Sequence, residues 1–222
     1  LRPKWKGLGA MYFKIAARLS TILFDQIIND SEEMRKVYLN TFKKESVVIA
    51  YGATIKKSDD LTLIQQWLIN PKEYYLVVGR MIPDNNADII VKGFLASNST
   101  KKMVVVGDVF YKDKYADELK ALKDDRLVFT GYVHDPKVLA ALYHHCYVYV
   151  HGHEFGGTNP TMIKAMAYGC AILALNTVFN KEMLNNDSYG IYFEKNQNAV
   201  RQQINYADRH PKQIKKLSEN SH

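Results

Sequence analysis

Residues His151 to Gly169 read HGHEFGGTNPTMIKAMAYG. The order of residue types is that of a strand end, a glycine turn and a helix. Cys146 to Val150, mostly β-branched and aromatic, predict the strand that enters it. Asn159 suits an N-cap, Pro160 the first helical position, and Gly169 the position just past the helix end. Ile163, Met166 and Ala167 give that helix an apolar stripe at spacings of three and four. Gly156 and Gly157 stand between strand and helix, with no Cβ to hold a ligand away from the backbone. Free amides at a helix start, together with the positive end of the helix dipole, make an anion site, and phosphate is the anion such a turn usually meets. The plainer alternative is that the two glycines only make a tight turn.

Outward from this stretch the pattern is regular. Tyr75–Val78, Met103–Val106, Leu127–Phe129, Ala171–Leu175 and Ile191–Phe193 are short apolar strand candidates. Helical patterns over Ala87–Leu95, Tyr115–Leu122 and Pro136–His144 separate them. Strands alternating with helices of about ten residues mean βαβ units, so the fold class is α/β, a doubly wound, Rossmann-like parallel sheet. Such sheets bind ligands beyond the carboxyl ends of their strands. Those ends carry Gly79-Arg80, Gly107, Gly131 and Gly156-Gly157, which should open on one edge. Before residue 74, Gln26–Ile28 and Ser46–Ala50 read as strands around a helix over Glu32–Asn40 that Ser31 can cap. A short helix around Leu61–Ile69 lies in an otherwise polar linker. From Asn198 to Leu217 the tail reads as one polar helix.

Composition narrows the class. A chain of 222 residues with 47% hydrophobic residues is globular and long enough for one large α/β domain or for one domain plus a fragment of another. The net charge of +7 fits nucleic acid, an anionic membrane or a phosphorylated ligand. The lysines are scattered in pairs such as Lys43-Lys44, Lys56-Lys57 and Lys215-Lys216, without an aromatic-basic motif, so nucleic acid is not the expected partner. Cys146 and Cys170 have no CxxC spacing, which makes a reducing compartment the default. No apolar run approaches the ~20 residues of a membrane span, no signal peptide is visible, and the start at Leu1 is that of a piece of something longer. Met11, Ile15, Leu19 and Ile22 share one face of an N-terminal helix, with Trp5 nearby and Lys4, Lys6, Lys14 and Arg18 interspersed. Such a basic amphipathic helix either packs on a neighbouring domain, the simpler reading, or lies on a membrane surface.

Few motifs carry chemistry. A dinucleotide fingerprint is absent, since Gly7-Leu8-Gly9 has Tyr12 where the third glycine should stand. No GxxxxGK loop and no supported nucleophile triad occur. His151 and His153 lack the acidic or thiol company of a metal site, and no metal is expected. Arg80, at a strand end, can make paired charge-assisted hydrogen bonds to a pyrophosphate, or simply be a solvated turn arginine. Tyr132 and Val133 at the next strand end can frame a base, or pack the strand's edge.

The succession LVVGRMIPDNN, VVVGD, LVFTGYVHD and LYHHCYVYVHGHEFGGTNPTMIKAMAYGCAILAL resembles the C-terminal donor-binding domain of GT-B glycosyltransferases, in the large retaining group called family four. The HGH…GGTNP version is similar to a rhamnosyltransferase branch. The resemblance runs from about Ser46 to Phe193. It implies residues 1–53 as a remnant of the acceptor domain, 54–73 as a linker, 74–197 as a nucleotide-sugar-binding domain and 198–222 as a helix returning toward the acceptor domain.

The resemblance also implies roles. Arg80 binds the donor diphosphate, Gly131, Tyr132 and Val133 face the nucleobase, and Gly156, Gly157 and Thr158 offer amides to sugar and phosphate while Asn159 caps the helix. Two positions depart from the family. Asp84-Asn85-Asn86 stands where Glu-Lys-Gly is usual, which removes a cation, and Lys164 replaces a glutamate that holds ribose hydroxyls. Lys164, four residues after Pro160 on a helix whose side chains tilt toward its start, is read as a substitute diphosphate cation. No catalytic residue is assigned. Glu154 is the acidic candidate, but it sits two residues before the usual one. The reading is the donor-binding part of a retaining glycosyltransferase, inactive alone, that serves surface polysaccharide synthesis. It needs no cofactor and no metal, because arginine, helix dipole and amides carry the diphosphate charge. Its partners are a nucleotide-sugar and a glycan or lipid-linked glycan acceptor. Its place is the cytoplasm, with peripheral contact at the inner face of the membrane. A catalytically silent nucleotide-sugar-binding domain and a sugar-nucleotide epimerase of the same fold are the alternatives.

Overall fold

Strands that are apolar on both sides demand cover on both faces, and the chain supplies it with helices. A computed structural model describes residues 7–56, 58 and 60–220. From residue 74 onward, β3 (Tyr74–Val78), α4 (Ala87–Leu95), β4 (Lys102–Val106), α5 (Lys114–Lys120), β5 (Leu127–Gly131), α6 (Pro136–His145), β6 (Val148–His151), α7 (Pro160–Ala167), β7 (Ala171–Leu175), α8 (Val178–Met183) and β8 (Gly190–Phe193) follow in order. The strands form one parallel sheet of six, ordered β5-β4-β3-β6-β7-β8. The strand order reverses between β3 and β6, the topological switch point of a doubly wound sheet.

The period of two sorts the strand residues between two cores. Tyr75, Val77, Met103, Val105, Val148 and Val150 pack with Ile90, Phe94, Val200 and Ile204 on one face. Tyr74, Leu76, Val104, Tyr149, Ile172 and Ala174 pack with Leu142, Met162 and Ala165 on the other. Side-chain caps start the helices where the sequence places them. Asp113 accepts from the Ala116 amide, Asp135 from Lys137 and Asn159 from Thr161. At the far end of α7, Gly169 takes a positive φ of 70°, and the Gly169 and Cys170 amides return to the carbonyls of Met166 and Ala165, a Schellman closure.

The N-terminal part holds α1 (Leu8–Leu23), α2 (Glu32–Phe42) and a separate parallel pair of two-residue strands, β1 (Ile28–Asn29) and β2 (Val47–Val48). Ser31 caps α2 through the Met34 amide at 3.2 Å. On α1 the face of Met11, Ile15, Leu19 and Ile22 is exposed, so nothing among the described residues covers that stripe. Trp5, Lys4 and Lys6, assigned to the same amphipathic segment, lie outside the described residues. No helix among the described residues is long and apolar enough to cross a membrane.

Within residues 54–73, read as a linker with a short helix, α3 (Thr62–Gln65) brings Ile64 into the core at 1% exposure, and Ile69 is buried with it. The tail is not one helix but two, α9 (Gln197–Arg209) and α10 (Pro211–Asn220), because Pro211 cannot donate into the preceding turn. The tail packs on the sheet domain. Val200, Ile204 and Ala207 of α9, with Ile214 and Leu217 of α10, complete one face of the core. The helix α8, capped by Thr177 through the Asn180 amide, was missed, since six residues carry too little periodicity to show.

The seam between α4 and α9 closes on Gly93, where a Cβ would lie 2.5 Å from Val200 Cβ and 2.8 Å from the Gln197 carbonyl. We expect Gly93→Ala to destabilise the chain by about 1–3 kcal/mol in denaturant titration, through overpacking. Adding Val200→Ala should cost less than the sum of the two single changes.

Candidate functional site

A cleft of about 390 Å³ lies outside the carboxyl ends of β3 and β6, at the switch point. Four strand ends contribute to its wall: Gly79 and Arg80 after β3, Gly107 and Asp108 after β4, Tyr132 and Val133 after β5, and His151, Gly152 and His153 at the end of β6. Asn159, Pro160 and Thr161, the start of α7, form the opposite side. The helix start therefore faces the cleft with its positive end.

Close backbone approach gives the cleft its shape. A Cβ at Gly107 would collide with the Gly79 carbonyl, and Gly107 also takes a φ of 120°, which L side chains avoid. A Cβ at Gly152 would collide with the Asn85 carbonyl. The loop after β3 is fixed by its asparagines. Asn86, left-handed at φ 50°, donates from its side-chain amide to the Gly152 carbonyl at 2.8 Å. Asn85 donates to the Arg80 carbonyl at 2.8 Å and meets His153 Nδ1 through Oδ1, also at 2.8 Å.

Charge is sparse. Arg80 is exposed at the cleft, and among the described residues no carboxylate lies within ion-pair distance of its guanidinium. Asp108 is paired with Lys120 at 3.0 Å. Burial opposes its ionisation, but the Val109 amide and Lys120 outweigh that and hold its carboxyl below the ordinary range. Tyr132 is half-exposed at the rim, with ring centroids 5.1 Å from Phe110 and 4.8 Å from His134. Among the described residues no three His, Cys, Asp or Glu side chains are grouped as a metal ion would require.

A buried polar chain runs beneath this surface. Asn159 Oδ1 accepts from the Thr161 amide at 3.0 Å and from the Thr161 hydroxyl at 2.7 Å. Tyr149 donates its hydroxyl to Thr161 Oγ1 at 3.0 Å and lies 3.4 Å from His151 Nδ1. His151 is 3% exposed, and its Nε2 has no hydrogen-bond partner among the described residues. Burial, with a lesser contribution from His153, pushes its pKa down to about 3.

Of the residues singled out from sequence, Arg80, Tyr132, Val133 and Asn159 meet in the cleft, and Gly131 adjoins it at φ 66°. Gly156, Gly157 and Thr158 do not line it. The turn at Asp30 and Ser31 sits on them: a Cβ at Gly157 would collide with Asp30 Oδ1, and the Thr158 hydroxyl donates to the Asp30 carbonyl at 2.5 Å. The positive φ of that turn is at Gly156, 105°, and not at Gly157. Lys164 is exposed on α7 and outside the cleft lining. Glu154 is paired with Lys195 and also stands outside. Sequence reasoning missed Asn85, Asn86 and the role of Tyr149 and His151. The signal for the last pair was present, because residues two apart in a strand face the same side.

The family model of glycosyl transferases group 1 matches residues 59–222. No curated protein matches the chain. Among solved structures, the chain is similar to HepE of Anabaena in complex with UDP, at 16% identity and a TM-score of 0.81 over 100% of this chain and 64% of that one. It is similar to a glycosyltransferase from Rickettsia africae at 18% identity and a TM-score of 0.80, over 95% and 60%. Sucrose-phosphate synthase from Thermosynechococcus elongatus matches at 18% identity and a TM-score of 0.77, over 94% and 56%. The likeness is one of fold, and the chain spans about three fifths of the length of these proteins.

The depressed pKa of His151 has a consequence for stability. The unfolded chain binds a proton at this residue below about 6.5, while the folded chain does so only near 3. The stability it contributes is present in full above 6.5 and is lost as pH falls toward 3. Between pH 6.5 and 5, above most carboxylate titration, unfolding free energy should fall by up to about 1.4 kcal/mol per pH unit on account of this proton. Denaturant titrations of His151→Phe should show a flatter slope over the same range.

Proposed function

This chain belongs to the glycosyl transferases of group 1, and we propose that it is the donor-binding part of a retaining enzyme that takes a nucleotide-sugar. One observation carries the reading: an arginine without an ion-pair partner, Arg80, faces the start of α7 across a cleft at the switch point. A cation and a helix N-terminus on opposite walls suit a diphosphate. In this reading Arg80 and the helix start hold the two phosphates, and Tyr132 and Val133 frame the base. The complex of HepE with UDP supports a nucleotide diphosphate as the ligand class. The sugar–diphosphate bond breaks with its charge taken up by Arg80 and the helix amides, while an acceptor hydroxyl attacks from the same face. The three glycine-turn residues, Gly156 to Thr158, join the site only if the Asp30 turn moves from them.

Rhamnose as the transferred sugar, and surface polysaccharide as the product, rest on the HGH…GGTNP block. Lys164, where a ribose-binding glutamate would stand, favours a deoxyribose donor such as a dTDP-sugar, which has no 2′-hydroxyl to lose. The acceptor is a glycan or a lipid-linked glycan, and the exposed stripe of α1 suits either a further part of the protein or a membrane surface. By itself the chain binds donor without transferring it.

Thermal melts with UDP, dTDP and GDP test the reading. Ligand at a hundred times its dissociation constant should stabilise the chain by about 2.7 kcal/mol. Arg80→Ala should weaken diphosphate binding roughly tenfold to a hundredfold, the worth of a charge-assisted hydrogen bond. No shift with any of the three at millimolar concentration would overturn it. Sugar transfer to added acceptor by the chain alone would overturn the inactivity, and conversion of the donor to its epimer would favour the epimerase.

A further inference from the structure

The tautomer of His151 is fixed from the far end of the buried chain beneath the cleft. Asn159 Oδ1 is the cap of α7 and can only accept. The Thr161 hydroxyl points its hydrogen there, at 2.7 Å. Thr161 Oγ1 is then left to accept, and the Tyr149 hydroxyl donates to it at 3.0 Å. Tyr149 has one hydrogen to give. A further acceptor in its reach, the Val78 carbonyl at 3.5 Å, would also draw that hydrogen away from His151. The Tyr149 oxygen thus presents lone pairs to His151 Nδ1, 3.4 Å away, and Nδ1 carries the ring hydrogen. Nε2 is left as a bare lone pair, buried and without a partner on a ring that lines the cleft. Burial keeps that ring neutral.

A neutral nitrogen with a free lone pair repels a phosphate oxygen and accepts only from O–H or N–H. A buried acceptor left unpaired is costly, so a ligand that supplies a hydrogen there gains what the empty cleft forgoes. We propose that His151 Nε2 reads a hydroxyl of the bound nucleotide-sugar, as the uncharged counterpart to Arg80 on the same cleft. This rests on the donor-binding reading above. Tyr149, Thr161 and Asn159 are positioning residues: they set which nitrogen of His151 is free and never touch the hydroxyl through that relay.

The hydroxyl belongs to the sugar or to the ribose, and calorimetry with paired probes separates the two. Native chain, His151→Phe and His151→Gln are titrated with UDP-glucose and UDP, and with dTDP-rhamnose and dTDP. Phenylalanine keeps the ring's bulk and removes the acceptor, whereas glutamine restores an acceptor oxygen. We expect His151→Phe to lose at least tenfold in affinity and His151→Gln to recover part of it. Loss confined to the sugar conjugates assigns the sugar hydroxyl, and loss with the free nucleotides as well assigns the ribose. Native binding with unchanged affinity of His151→Phe overturns the proposal alone. Absence of binding by the native chain overturns the donor-binding reading, and this proposal with it. A second measurement does not need the variant to fold. Nitrogen-15 chemical shifts of the native imidazole near neutral pH should report the Nδ1–H tautomer, and Thr161→Val, which frees the Tyr149 hydrogen to turn, should raise the Nε2–H form. An Nε2–H ring in the native protein overturns the proposal.

Discussion

A buried side-chain amide ties the two loops at the switch point of this domain. Asn86 donates across the switch crevice to the Gly152 carbonyl, from a left-handed backbone that few residues other than asparagine and glycine adopt readily. The bond ties the loop after β3 to the loop after β6, the two strands between which the sheet order reverses. One wall of the cleft hangs from those loops. Arg80 is presented by the first of them and His151 and His153 by the second, and Asn85 bridges both by holding the Arg80 carbonyl and the His153 ring. The absence of a Cβ at Gly152 is what lets the loops come this close.

Much of this architecture was legible in the sequence, for a local reason. Apolar runs of four or five residues ending in glycine name a buried parallel strand and its turn, and Asn159-Pro160 names a helix start without reference to anything distant. Arg80, Tyr132 and Asn159 could be placed at the cleft because strand ends share an edge in a doubly wound sheet. What was not legible depends on residues far apart in the chain. The Asp30 turn covers Gly157 and Thr158 from well over a hundred positions away, and no property of the glycine block announces it. Ile64 reads as linker until α6 is beside it. The state of His151 belongs to a relay of four side chains, two on β6 and two at the start of α7, whose hydrogen directions come only from their geometry.

The N-terminal part meets the sheet domain through charge as well as shape. The Glu182 carboxylate accepts from the Glu32 and Glu33 amides at 2.6 and 2.9 Å, so a side chain of α8 caps the start of α2 together with Ser31. A carboxylate at a helix N-terminus is favoured by the dipole and by the unsatisfied amides. This cap and the Asp30 contact stand side by side, and both touch segments that follow β6 and β7, so the seam between the parts borders the cleft itself.

The tail gives the domain an unusual order of assembly. One face of the sheet is completed by Val200, Ile204 and Ala207 on α9 and by Ile214 and Leu217 on α10, which follow every strand in the chain. Until then Tyr75, Met103 and Val148, made more than fifty residues earlier, lack their cover on that side. A chain stopped before residue 200 would carry every strand and every cleft residue, yet display a broad apolar sheet face to chaperones and proteases. The integrity of the sheet domain is thus decided at α9 and α10, remote from the cleft.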